Sequence, residues 1–148
     1  VIYHPRTQRS AEEESEMNAI YVSFEELLKQ SDILSIHSPL VPETTGLFGA
    51  DEFKLMKTTA VLVNTSRGPV VQEAALAQPL KDGEIAFAGI DVFEEEPKIH
   101  PALLECENAL LLPHIGSATL ETRTAMAHLA VENIIAVLKG NTPPTPVN

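Results

Sequence analysis

Short apolar runs rich in β-formers recur along this chain, and a helical stretch separates almost every neighbouring pair. This alternation is the strongest constraint on the fold. Strands joined through helices run parallel, and such strands stack into one sheet with helices on its faces. The runs at residues 1–4, 19–22, 33–37, 60–63, 85–90 and 109–112 read as strands. Helices are expected at residues 11–16, 73–81, 102–105 and 119–138, and from Asp51 as cap to about Met56. Ser23 followed by Glu26 is a capping box, which starts another helix. Asp82-Gly83 ends the helix at 73–81, and Gly140 stops the last one. The last helix carries Leu120, Thr124, Leu129, Ile134 and Leu138 as an apolar stripe. "SPLVPETTG" and "DVFEEEPKIHP" are loop chemistry, and "NTPPTPVN" is an extended tail.

The 148 residues suffice for one domain with a core, and 44% hydrophobic with 21% charged residues is ordinary for a soluble globular protein. A net charge of -11 argues against nucleic acid and against an anionic membrane surface as partners. The single cysteine, Cys106, excludes an internal disulfide and fits a reducing, cytoplasmic compartment. No apolar run approaches the roughly 18 residues of a membrane span, and no signal-peptide pattern is present. The chain opens on "VIYH", without Met, as a strand in progress. Residues 1–148 are therefore expected to be a piece of a longer protein.

Ligands of an open parallel sheet bind beyond the carboxyl ends of its strands. "NTSRGPVV" places Arg67 just past the apolar run at 60–63. Asp91, then Glu94, Glu95 and Glu96, follow the run at 85–90, and His114 follows that at 109–112. Taken singly, each has an ordinary alternative: a solvated arginine, an acidic surface loop, a structural histidine. Together they bring Arg, carboxylate and His to one sheet edge. Arg offers a planar fork matched to a carboxylate. His gives or takes a proton near neutral pH, and a carboxylate beside it favours imidazolium. Pro97 biases Glu96 to extended backbone, which makes it the most fixed of the three glutamates. The set points to acid–base chemistry on a small carboxylic acid. One His among scattered acids lacks metal-ligand spacing, so no metal is expected. Ser66 has no nucleophile elbow around it, which disfavours a hydrolase.

"NTSRGPVV", "AGIDVFEEEP" and "LLPHIGSAT" resemble three signature segments of the D-isomer-specific 2-hydroxyacid dehydrogenases, in the family's order and spacing. The likeness is greatest to its glyoxylate/hydroxypyruvate reductases, through "PHIGSAT" and "KGNTPPTPVN". The resemblance implies a Rossmann-like, doubly wound α/β fold, present here without its first strand and helix and without most of the substrate domain. Residues 1–116 would be the nucleotide-binding portion, and 117–148 a helix and tail returning to the substrate domain. It implies an oxidoreductase that reduces a small 2-keto acid, glyoxylate or hydroxypyruvate, to the D-2-hydroxy acid with a nicotinamide cofactor. Arg67 would bind the substrate carboxylate, His114 would be the general acid, and Glu96 would pair with His114 and raise its pKa. Asp91 would touch the carboxamide, Thr65, Ser66, Ile115 and Gly116 would line the nicotinamide, and Pro39-Leu40 would cover the ribose side. A homodimer through the nucleotide domain is the family's usual assembly. Glutamate at position 96 disfavours formate, because relatives acting on formate carry Gln in that role.

In NAD-using folds an acidic residue after the second strand binds the ribose 2′-hydroxyl. Here "VIYHPRTQRS" supplies Arg6, Thr7 and Arg9 instead, so NADP(H) is expected over NAD(H), with Arg6 the main contact. Two departures from the family stand out. The Gly-x-Gly-x-x-Gly loop is absent, and the last helix would lack a partner, so this chain alone is expected not to turn over. Competing readings on the same scaffold are a nucleotide-dependent corepressor-like interaction protein and a phosphoglycerate dehydrogenase. The short tail and "PHIGSAT" favour the reductase.

Overall fold

The computed structural model describes residues 1–147. They form two compact units, one from Val1 to Pro113 and one from His114 onward. In the first unit the element order is β1 (Ile2–Tyr3), α1 (Ala11–Met17), β2 (Ile20–Tyr21), α2 (Phe24–Gln30), β3 (Ile33–Ile36), α3 (Ala50–Leu55), β4 (Val61–Asn64), α4 (Glu73–Lys81), β5 (Phe87–Ile90), α5 (Pro101–Leu104) and β6 (Ala109–Leu111). All strand pairs are parallel, in a two-stranded sheet β1-β2 and a four-stranded sheet β3-β4-β5-β6. Residues 42–44 and 68–70 form short 3₁₀ turns inside the loops after β3 and β4.

Local chemistry sets the ends of these elements. Ser10 and Ser23 each cap a helix, with Glu13 and Glu26 reaching back to the cap amide. These are the reciprocal bonds of a capping box. Helix α3 departs from expectation, because Gly49, not Asp51, is its cap residue. Glu52 takes up the Gly49 amide at 3.0 Å, and Asp51 pairs with Lys54 at 2.9 Å. The acid three residues past the cap does the work, which leaves the cap position free for glycine. Strand β5 is shorter than the apolar run predicts. The Ile85 and Ala86 amides are spent on Pro79 and Ala60 carbonyls before the ladder begins.

The four-stranded sheet is one-sided. Leu34, Ile36, Leu62, Ala88 and Ile90 point into a core shared with Leu28 of α2, Phe53 of α3, Leu76 and Leu80 of α4 and Leu103 of α5. On the opposite face Ile33, Phe87 and Leu110 are 70%, 38% and 51% exposed. Parallel sheets are normally buried on both faces. Helices α2–α5 thus supply one of the two helical layers of a doubly wound fold.

The second unit holds α6 (Leu120–Leu138), capped by Thr119 and with no buried residue. Leu120, Leu129, Ile134 and Leu138 of its expected stripe are all exposed. Gly140, at φ 75°, ends the helix as the sequence predicts. The tail folds back, with Asn133 and Thr145 exchanging two hydrogen bonds of 2.8 and 3.1 Å. No helix among the described residues is long and apolar enough to cross a membrane.

One-sided burial has a measurable consequence. Leu62→Ala is expected to lower the unfolding free energy of the chain by about 2–5 kcal/mol, the cost of emptying a core site. Ile33→Ala, on the open face of the adjoining strand, is expected to cost less than about 1 kcal/mol. Urea denaturation of both variants checks this, and equal losses would mean that both faces are covered.

Candidate functional site

Strands β3 to β6 are parallel and adjacent, so their carboxyl ends share one sheet edge. The loops leaving that edge are tied to one another. The loop after β3 is bound to the loop after β4 through Gly46 N–H to Pro69 O at 2.8 Å and Phe48 N–H to Val70 O at 3.0 Å. Gln72 adds its own amide to Phe48 O and its side chain to Gly46 O, each at 2.9 Å.

Asn64, the last residue of β4, shapes the turn that carries Arg67. It is fully buried. Its side-chain oxygen accepts from Ser66 N–H at 3.1 Å and from the Ser66 hydroxyl at 2.9 Å, and its amide donates to Arg67 O at 3.2 Å. This is an Asx turn, in which a side chain replaces a backbone partner. Thr65 and Arg67 emerge exposed and Ser66 half-buried. The Arg67 guanidinium donates to Ser66 O at 2.7 Å. Among the described residues it forms no ion pair, so its charge is available at the sheet edge.

The next residue presses this turn onto the loop after β5. A Cβ on Gly68 would lie 1.9 Å from both the carbonyl carbon and the oxygen of Phe93. Only glycine permits that approach. Asp91, whose amide is bound to Asn64 O at 3.0 Å, is buried. The three glutamates that follow have three different tasks. Glu94 accepts the Glu73 amide at 2.9 Å, at the start of α4. Glu95 pairs with Lys98 at 3.6 Å on the surface. Glu96 accepts the Phe93 amide at 3.1 Å. Glu73 is itself a buried acid, and its carboxylate accepts from the Glu94 amide and, at 2.7 Å, from the His100 amide.

The turn that carries Thr65, Ser66 and Arg67 thus touches the loop of Asp91 and Glu96 through its Asn64 and Gly68. Pro39 and Leu40, both exposed, stand at the neighbouring β3 end, where Pro39 O accepts the Thr44 hydroxyl at 2.6 Å. The Leu112 amide extends the ladder beyond β6 by binding Ile90 O at 2.9 Å. His114 then opens the second unit in a left-handed backbone conformation, φ 54°. That conformation is uncommon for any residue but glycine and is often found at functional positions. Ile115 and Gly116 follow it in a turn closed by Ala118 N–H to Ile115 O at 2.9 Å.

Arg6 and Thr7 lie past the end of β1, both exposed. Arg9 is paired with Glu13 at 3.7 Å, whereas Arg6 is in no ion pair among the described residues. Hydrogen bonds from Gln8 and Tyr3 hold the Glu14 carboxyl below the usual carboxylate range. Cys106 is buried, and burial pushes its thiol up, as for a structural rather than a reactive cysteine.

Reading the sequence alone missed Asn64, Gly68 and Glu73, and placed Glu94 only as one of three acids past the run at 85–90. Asn at a strand end before Thr-Ser is a recognisable Asx-turn signal. Nothing local marks Glu73 as buried, because its partners lie more than twenty positions away.

The family description "D-isomer specific 2-hydroxyacid dehydrogenase, NAD binding domain" matches residues 1–116. The glyoxylate reductase of Thermococcus litoralis is 53% identical over 148 residues, covering 100% of this chain and 44% of that protein. The crystal structure of an NADPH-dependent glyoxylate/hydroxypyruvate reductase from Sinorhizobium meliloti, with NADP and malonate, superposes with a TM-score of 0.90 at 37% identity. It covers 99% of this chain and 44% of that one. The holo D-mandelate dehydrogenase of Rhodotorula graminis gives a TM-score of 0.91 at 36% identity, over 99% of this chain and 43% of that one. The chain therefore spans less than half the length of these relatives.

The glycine contact makes a sharp test. Gly68→Ala is expected to destabilise the chain by about 3 kcal/mol or more, because backbone lies where the methyl must go. Gly89→Ala, where a Cβ would meet nothing within 4 Å, is expected to stay within about 0.5 kcal/mol of the parent. Denaturant midpoints of the two variants decide it.

Proposed function

Because the chain belongs to the D-isomer specific 2-hydroxyacid dehydrogenases as their NAD binding domain, we propose that it supplies the cofactor edge and the acid–base residues of a reductase for glyoxylate or hydroxypyruvate. The observation that carries this reading is the locked sheet edge. An available guanidinium at Arg67 is pinned by Gly68 against the loop that bears Asp91 and Glu96. The edge also fits a nicotinamide. It offers hydroxyls at Thr65 and Ser66, apolar cover at Pro39 and Leu40, and a buried carboxylate at Asp91.

The chemistry assigned to each residue follows from its type. Arg67 grips the substrate carboxylate through two parallel N–H bonds and draws electron density from the adjacent keto group. His114, as imidazolium, gives its proton to the keto oxygen, and Glu96 stabilises that imidazolium. A bound reduced nicotinamide supplies the hydride to the carbon. In the reverse direction His114 takes the proton back.

Support for a small 2-keto acid comes from the reductases among the relatives, and the D-mandelate dehydrogenase shows that the scaffold alone does not fix the side chain of the substrate. For the cofactor, Arg6 is the cation left unpaired beyond β1, while Arg9 is engaged by Glu13. A 2′-phosphate would meet Arg6 and no acid in the loop of residues 4–10, which favours NADPH.

Two experiments on the gene product that contains this chain test the reading. His114→Gln is expected to lower kcat for glyoxylate reduction by about 10²–10⁴, the usual worth of a positioned acid. Arg67→Gln is expected to lower kcat/KM on the order of 100-fold, the loss of a charge-assisted grip. Full activity in either variant would remove that residue from the site. Separately, NADPH is expected to bind more tightly than NADH, and Arg6→Ala to weaken NADPH on the order of tenfold while sparing NADH. Tighter NADH binding by the parent protein would refute the cofactor assignment.

A further inference from the structure

We propose that Glu73 is a positioning residue that sets where Glu96 stands. The inference rests on the reading above, in which Glu96 acts on His114. Glu96 lies in a loop whose two ends are held by one side chain. On one side of it the Glu94 amide donates to the Glu73 carboxylate, and on the other the His100 amide does so at 2.7 Å. The hold is reciprocal, because the Glu94 carboxylate accepts the Glu73 amide at 2.9 Å. Glu73 cannot drift. It is 4% exposed, it begins α4, and Leu76 and Leu80 of that helix are anchored in the core. Helix and acid loop are thus one rigid piece, fixed twenty-odd residues apart in sequence.

Each loop amide meets its own carboxylate oxygen, Glu94 N–H at Oε1 and His100 N–H at Oε2. A carboxylate has two acceptor oxygens for two N–H donors, whereas glutamine offers one oxygen and one NH₂ group. In Glu73→Gln one loop amide faces another donor in a buried place, so that end of the loop is released. The loop that bears Glu96 is then looser at that end, with the Phe93 amide bond to Glu96 still in place.

The test uses the gene product that contains this chain. Reduction needs His114 protonated, so kcat falls on the alkaline side, and a carboxylate near His114 moves that fall to higher pH. Glu96→Gln is expected to move the fall about one unit to lower pH. Glu73→Gln is expected to move it in the same direction, and the double variant no further than Glu96→Gln alone. Amide exchange in residues 92–101 of Glu73→Gln is expected to rise at least tenfold with or without cofactor. Should Glu73→Gln not fold, Glu94→Gln carries both measurements from the other half of the clamp, with shifts of the same sign. If Glu96→Gln shifts the profile while the folded clamp variant does not, the role of Glu73 is overturned and the reading of Glu96 stands. If Glu96→Gln itself leaves the profile unmoved, the reading of Glu96 fails. The exchange result then decides on its own whether Glu73 holds the loop, and unchanged exchange overturns it.

Discussion

The site depends on one close backbone approach, Gly68 against Phe93. Strands β4 and β5 are hydrogen-bonded neighbours, but their loops must still be brought together beyond the sheet. A side chain at position 68 would hold them apart, because its Cβ would occupy the Phe93 carbonyl. Glycine removes that obstacle. Asn64 then fixes the turn on one side through its Asx bonds, and Glu73 fixes the loop on the other. These three residues shape the turn that carries Arg67 and the loop that carries Glu96.

The acidic run shows how neighbouring identical residues take on different work. Glu94 faces the first amides of α4, where a helix has unsatisfied donors and a partial positive charge. Glu95 makes an exposed ion pair with Lys98 that contributes little to stability. Glu96 turns back to the Phe93 amide. Composition alone reads this segment as a solvated acidic loop, yet two of its three carboxylates hold backbone.

Much of the fold was legible because it rests on local signals. The alternation of strands and helices, the capping box at Ser23 and the stop at Gly140 depend on neighbours within four positions. The β5 boundary and the cap of α3 were misplaced by a residue or two, where backbone donors are claimed by distant or competing acceptors. Arg67, Asp91 and Glu96 could be foreseen as lying at one edge, since a parallel sheet delivers its strand ends together. The clamp could not, because Glu73 reads as an ordinary helix-start acid until the fold brings Glu94 and His100 to it.

On the proposed function, the locked edge receives a small carboxylate at Arg67, next to a nicotinamide. The most direct measurement is a crystal structure of the gene product that contains this chain, with oxidised cofactor and oxalate as an unreactive substrate mimic. One oxalate carboxylate bound in the fork of Arg67, with the nicotinamide ring between Thr65-Ser66 and Asp91, is the expected result. Oxalate bound elsewhere, with Arg67 turned to solvent and the ring away from Asp91, would contradict it.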